Sequence, residues 1–249
     1  MTRTPSAWIV LKFGGTSVSS LSNWRNIARV ASERRASGAR VLIVHSALSG
    51  VTDRLERLLG AATPEAQHQE LEAIEQRHRA LAAELGVTVG EELERLLAEV
   101  REIAAGAALV REVSDRTRAR VMASGELMAT HLGARFLAAC GLEVRWADAR
   151  TMLRAEFHGA SARASVLSAV CNFAPDAALE RELAEGPPLV VTQGFIASDA
   201  EGHTVLLGRV FRREAACRTP RDLDGCSGHV QRQPAHDPER TAAARAALR

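Results

Sequence analysis

Lys12-Phe13-Gly14-Gly15-Thr16-Ser17 follows directly on the apolar run Trp8-Ile9-Val10-Leu11. Paired glycines at the end of a strand let the backbone come close to a phosphate, whose oxygens successive N–H groups can cradle. Lys12 would add fixed positive charge where a transferring phosphoryl group gathers negative charge. Lysine and arginine total 32 and Lys12 is the only lysine, which leaves 31 arginines. In a chain so biased toward arginine, a retained lysine suits a place that takes a compact ammonium between phosphate oxygens and not a planar guanidinium. A Gly-Gly pair alone is usually just a turn; the whole string behind a strand says more.

Elements must position such a string. Three further apolar runs also end in small, polar clusters: Val41–Val44 before His45 to Thr52, Leu189–Val191 before Thr192-Gln193-Gly194-Phe195, and Val205–Leu207 before Gly208-Arg209. Short runs bounded by turn residues read as buried strands. Between them, Leu21, Trp24, Ala28 and Ala31 share one helical face behind a Ser19/Ser20 cap. A longer helical pattern runs from Arg118 to Cys140, and Gly141 stops it. Strands alternating with helices predict an α/β fold, a mainly parallel sheet covered by helices on both faces. Ligands in such sheets bind beyond the carboxyl ends of the strands, where all four clusters are expected.

Residues 63–117 differ. Thr63-Pro64-Glu65 is a helix start with a capping hydroxyl, proline in the first turn and an acid nearby. The stretch behind it is rich in Glu, Arg, Ala and Leu and is interrupted at 86–90, which predicts a helical hairpin inserted into the α/β core. Its charges read as a solvated face.

The 249 residues are 46% hydrophobic and 25% charged, the composition of a soluble globular chain. A net charge of +2 gives no electrostatic footprint for nucleic acid or membrane. No apolar run approaches the roughly 18 residues of a membrane span, and the lead before Trp8 lacks a signal peptide's apolar stretch. A cytoplasmic location is expected. Cys140, Cys171, Cys217 and Cys226 form no CxxC pair and read as free thiols. His45 and His131 read as structural.

The string VLKFGGTSV resembles the opening of the aspartokinases. Ser46-Ala47-Leu48-Ser49-Gly50-Val51-Thr52-Asp53, Ser124-Gly125-Glu126-Leu127-Met128, Thr192-Gln193-Gly194-Phe195-Ile196 and Leu207-Gly208-Arg209 are similar to further strings of that family, in its order. Trp24-Arg25-Asn26-Ile27 and Leu167-Ser168-Ala169-Val170-Cys171 are similar to bifunctional aspartokinases fused to diaminopimelate decarboxylase. The resemblance implies an amino-acid kinase fold over residues 1–209. It also implies transfer of the ATP γ-phosphoryl group, with Mg2+, to the β-carboxylate of L-aspartate, the first step of lysine, threonine and methionine biosynthesis. It places the catalytic, phosphate-contacting lysine on Lys12, with Gly14 and Gly15 beside it, and substrate contacts on Thr52, Glu126 and Arg209. These residue types suit a dicarboxylic amino acid: a guanidinium for a carboxylate, an acid for the ammonium. L-Aspartate and ATP are thus the expected partners, nucleic acid and membrane are not, and self-association is left open. Another amino-acid kinase is the rival enzyme reading, against which the Ser-Gly-Glu and TQGF strings argue.

After Gly208-Arg209 the resemblance calls for Gly-Gly-Ser-Asp, but Val210-Phe211-Arg212-Arg213 follows. Codons compatible with PRDLDGC (220–226), read one nucleotide later, give Leu-Glu-Ile-Trp-Thr-Asp-Val, a family-like string. Residues 210–249 are therefore expected to be an unstructured, out-of-frame tail, which also sets aside a zinc reading of Cys217, Cys226, His229 and His236. The expectation is a truncated kinase domain lacking much of its nucleotide site, inactive or reduced to weak aspartate binding.

Overall fold

The structure is a computed structural model that describes residues 8–156, 161–172 and 174–208. Arg209 and the 210–249 tail lie outside the described residues. The elements run β1 (Trp8–Phe13), α1 (Leu21–Ala36), β2 (Arg40–His45), α2 (Val51–Leu59), α3 (Pro64–Leu85), α4 (Glu91–Val110), α5 (Asp115–Ala139) and β3 (Val144–Trp146). They continue with α6 (Ala149–Met152), β4 (Ala155–Glu156), α7 (Ala162–Leu167), β5 (Val170–Cys171), α8 (Ala177–Glu185), β6 (Leu189–Gln193), β7 (Ile196–Ser198) and β8 (Thr204–Leu206).

Four strands form a parallel sheet in the order β1-β2-β6-β3. Its register puts Phe13 beside His45 and His45 beside Gln193, so three strands end level. Side chains level across a parallel sheet share a face. Leu11, Ile43, Val191, His45 and Gln193 therefore point one way, into the main core, while Lys12, Val44 and Thr192 point the other. Over the first face lie α1 and α5. Trp24 of α1 stands edge-on to His45 with centroids 5.3 Å apart, and Gly133 of α5 lies so close that a Cβ there would come within 2.1 Å of the Trp24 ring. On the other face α8 lies near the strand starts. The Arg40 guanidinium donates to the carbonyls of Leu183 in the last turn of α8 and of Gly186 and Pro187 just beyond it, and stacks 5.0 Å from the Trp8 ring, and Arg145 pairs with Glu182. Helices thus flank both faces, as the alternation predicts.

The helix boundaries follow their local chemistry. Ser20, Thr63 and Ser114 each accept a backbone N–H from the first turn behind them. Pro64 sits at the start of α3 and Gly86 ends it at φ 66°, a conformation that glycine adopts without a Cβ penalty. The break between α3 and α4 falls at 86–90, as expected. The hairpin's charges are more than a solvated face. Arg79 reaches Glu94 at 2.9 Å and Arg101 reaches Glu75 at 3.1 Å, both between α3 and α4. Glu70 of α3 holds Arg54 at 3.0 Å and Arg57 at 2.7 Å, tying the hairpin to α2. The Arg57 guanidinium, followed by Arg54, holds the Glu70 carboxyl below its usual range.

One strand belongs elsewhere than expected. Val205-Leu206-Leu207 does not extend the parallel sheet; β8 pairs antiparallel with β7, Ile196 opposite Leu206, in a separate two-stranded sheet. The turn between them, with Gly202 at φ 83°, is short, and a short connection joins antiparallel neighbours whereas a parallel pair needs a crossover. An apolar run identifies a strand without naming its partner. The hairpin packs Ala197 and Val205 against Ala169 and Cys171 in a second, smaller core.

Candidate functional site

The carboxyl ends of β1, β2 and β6 release three loops into one region, and close backbone packing fixes two of them. Lys12 is the penultimate residue of β1, half-buried. Gly14 is exposed, and a Cβ on it would meet nothing within 4 Å. Gly15 is different: a Cβ there would fall 2.7 Å from the Ala47 carbonyl oxygen and 3.3 Å from the Ser49 nitrogen. Only glycine lets the turn after β1 lie against the loop after β2. Ser19 fastens the same junction, its hydroxyl donating to the Gly15 carbonyl at 2.7 Å and accepting from the Ser49 N–H at 2.9 Å.

The second fixed junction holds Glu126. Gly125 lies against Ala47, Val51 and Leu55, with an added Cβ 3.0–3.3 Å from their side chains, so α5 presses on the loop after β2 and on α2. The next residue, Glu126, is buried, 4% exposed. Its Oε2 accepts the N–H groups of Gly194 and Phe195, each at 2.9 Å. A buried carboxylate is costly without such donors, and two oriented amides at the end of β6 supply them. One turn on, the Thr130 hydroxyl donates to the Glu126 carbonyl at 2.7 Å and accepts from Gln193 Nε2 at 2.7 Å and Trp146 Nε1 at 2.9 Å. Gln193 Oε1 in turn accepts the Ala149 N–H at 2.7 Å.

Of the residues singled out in the sequence, Lys12, Gly14, Gly15 and Glu126 all lie at the carboxyl ends of the sheet. They arrive from different sides. Lys12 projects from the face opposite the one α5 covers, whereas Glu126 comes from α5 and reaches across the end of β6. Thr52 is exposed in the first turn of α2, behind Gly50 at φ 80°. Arg209 lies outside the described residues. Thr130 and Trp146 carry no recognisable motif, and the only signal for Thr130 is its i+4 spacing from Glu126. His45 borders the site as a structural residue. Its Nδ1 lies 2.9 Å from the Ser46 carbonyl, and burial lowers its pKa to about 4, so it is neutral at pH 7.

The profile of the amino acid kinase family matches residues 7–212. The chain belongs to the amino acid kinase family. Among its relatives, the lysine-sensitive aspartokinase 3 of Escherichia coli K12 is 34% identical over 204 residues, 81% of this chain and 43% of that protein. The aspartokinase of Chlamydia trachomatis is 32% identical over 215 residues, 84% of this chain and 44% of that one. In structure, E. coli aspartokinase III in complex with aspartate and ADP superposes with a TM-score of 0.66 at 31% identity, over 82% of this chain and 44% of that one. The chain thus spans less than half the length of these relatives.

One other feature of the chain lies apart from the strand ends. Asp199, Glu201 and His203 gather their ligand atoms within 4.8 Å of one another in the β7–β8 turn. Asp199 there already accepts from Arg116 at 2.8 Å and from the His203 N–H at 2.8 Å. No helix among the described residues is long and apolar enough to cross a membrane.

Proposed function

We propose that this chain carries the acceptor-binding part of an aspartate kinase, whose reaction moves the ATP γ-phosphoryl group to the β-carboxylate of L-aspartate. The observation that carries the reading is the buried Glu126 carboxylate, fixed by the Gly194 and Phe195 amides at the carboxyl ends of the sheet. With Oε2 held this way, Glu126 presents negative charge in a defined place, suited to the ammonium of an amino acid. Thr52, and Arg209 from the sequence, are proposed to take the carboxylates. Lys12, with Gly14 and Gly15, is proposed to hold the phosphates. An exposed glycine with no neighbour for a Cβ, next to a strand-end lysine, fits the close approach of a phosphate.

In that arrangement a β-carboxylate oxygen of aspartate attacks Pγ as the bond from Pγ to the β,γ-bridging oxygen breaks, giving aspartyl β-phosphate and ADP. The attacking carboxylate is already ionised, so no proton need be removed. Lys12 stabilises charge on the transferring group, and Glu126 and Thr52 keep the acceptor aligned. The Mg2+ that accompanies ATP would neutralise phosphate charge. No described carboxylate is assigned to it, since Glu126 is held by two amides and Asp199 by Arg116.

Val210-Phe211-Arg212-Arg213 stands where the resemblance calls for Gly-Gly-Ser-Asp. We therefore propose that aspartate binding outlasts phosphoryl transfer in this chain. The test combines MgATP and L-aspartate and traps acyl phosphate with hydroxylamine, beside NMR of the aspartate-bound chain. Shifts confined to Gly194, Phe195 and the first turn of α2, with little hydroxamate, are expected. Robust hydroxamate formation would overturn the proposed loss of transfer, and the absence of any aspartate-dependent shift would overturn the binding reading.

A further inference from the structure

Resting on the reading of Glu126 as the acceptor-binding carboxylate, we propose that Thr130 is a positioning residue that sets where that carboxylate stands. Thr130 is fully buried on α5, and its hydroxyl has one hydrogen to give and two lone pairs to fill. The structure uses all three. The hydrogen goes to the Glu126 carbonyl at 2.7 Å, and the lone pairs take Gln193 Nε2 at 2.7 Å and Trp146 Nε1 at 2.9 Å. Three elements meet on this one oxygen: α5, the last residue of β6 and the last residue of the edge strand β3.

Place along the chain gives the hydroxyl its leverage. Gln193 directly precedes Gly194 and Phe195, the residues whose amides hold Glu126 Oε2 at 2.9 Å. Thr130 lies one helical turn from Glu126. The Thr130–Gln193 and Glu126–Gly194/Phe195 hydrogen bonds therefore form two rungs, one turn apart on α5, the first on the last residue of β6 and the second on the two residues that follow it, which fix the rotation and height of the helix against the strand end. With the lower rung lost, α5 can slide or turn against β6, and the upper rung alone must place the carboxylate. Gln193 also receives the Ala149 N–H through Oε1 at 2.7 Å. That bond fixes which way its amide points, with Nε2 toward Thr130.

Thr130→Val keeps the shape of the side chain, removes the shared acceptor and leaves the buried Gln193 Nε2 and the half-buried Trp146 Nε1 without it. Thr130→Ser keeps the hydroxyl. Amide hydrogen exchange of the full chain gives the first readout, comparing Gly194 and Phe195 with Val41 and Ile43 of β2. Thr130→Val is expected to speed exchange at Gly194 and Phe195 more than at β2, and to weaken L-aspartate binding about three- to tenfold. Thr130→Ser should stay near wild type in both. A purely structural Thr130 would speed all four amides together and leave the aspartate affinity of the folded variant unchanged, and that result would overturn the proposal. If Thr130→Val does not fold, Gln193→Met, which removes the same rung from the strand side, decides by the same readouts. Wild-type protein that shows no aspartate binding would refute the reading of Glu126, whereas equal binding by wild type and variant would refute only the role of Thr130.

Discussion

Glu126, His45 and His78 are polar groups held away from water, and they answer burial in two ways. Glu126 has two backbone donors on one oxygen. The histidines instead give up their charge. His45 and His78 keep one ring nitrogen 2.9 Å from the Ser46 carbonyl and 2.8 Å from that of Ile74, while burial lowers both pKa values from 6.5 to about 4. A histidine depressed on folding binds fewer protons folded than unfolded, so stability is full above the unfolded value and falls as pH drops from about 6.5 to about 4. The loss should be of the order of 3 kcal/mol for each histidine. Urea unfolding at pH 7 and at pH 4.5 checks this, and His78→Leu should remove about half of the slope. Thr130 belongs to the same class of buried polar residue, yet a threonine in an apolar helix reads as filler until its partners on β6 and β3 are known. Glu126 was legible only through the Ser-Gly-Glu string, since its burial depends on where β6 ends.

Helix packing shows which glycines matter. Gly133 lies under Trp24, and a methyl there would press into a fully buried ring at 2.1 Å and approach His45 Nε2 at 3.1 Å. Gly106, four residues before the end of α4, has nothing within 4 Å of an added Cβ. The same substitution should therefore have opposite signs. Gly133→Ala should destabilise by about 1–3 kcal/mol through overpacking, whereas Gly106→Ala should stabilise by up to about 1 kcal/mol through helix propensity. Thermal melts of the two variants suffice to check it. The exposed ion pairs of the α3–α4 hairpin are worth little singly; Arg79–Glu94 and Arg101–Glu75 align its two helices, and the pairs of Glu70 orient it on α2. Strands β1, β2 and β6 could be read from the sequence because each apolar run stops at a polar residue, Lys12, His45 or Thr192, that opens a small, polar cluster. Strand β3 could not: Val144-Arg145-Trp146 has only three residues, at the sheet edge. The misplaced β8 shows the limit of such reading, because pairing depends on the turn and not on the run.

At the scale of the whole molecule, a parallel sheet collects at one end what the sequence disperses over nearly two hundred positions. Lys12, the Ala47–Ser49 loop, Glu126 and Gly194 come together because β1, β2 and β6 end level and α5 runs over their ends. That logic was visible in advance, since alternating strands and helices imply ligands at the carboxyl ends. The approach of Lys12 and Glu126 from opposite sides of the sheet was not, because the facing of a strand residue depends on register. The proposal that the strand ends bind L-aspartate through Glu126 is tested most directly by calorimetry with L-aspartate and N-acetyl-L-aspartate on wild type and Glu126→Gln. L-Aspartate is expected to bind wild type most tightly, with the acetylated compound, which has no ammonium, and the Gln variant each weakened tenfold or more, as loss of a charged hydrogen bond implies. Equal affinity of both compounds for both proteins would contradict it.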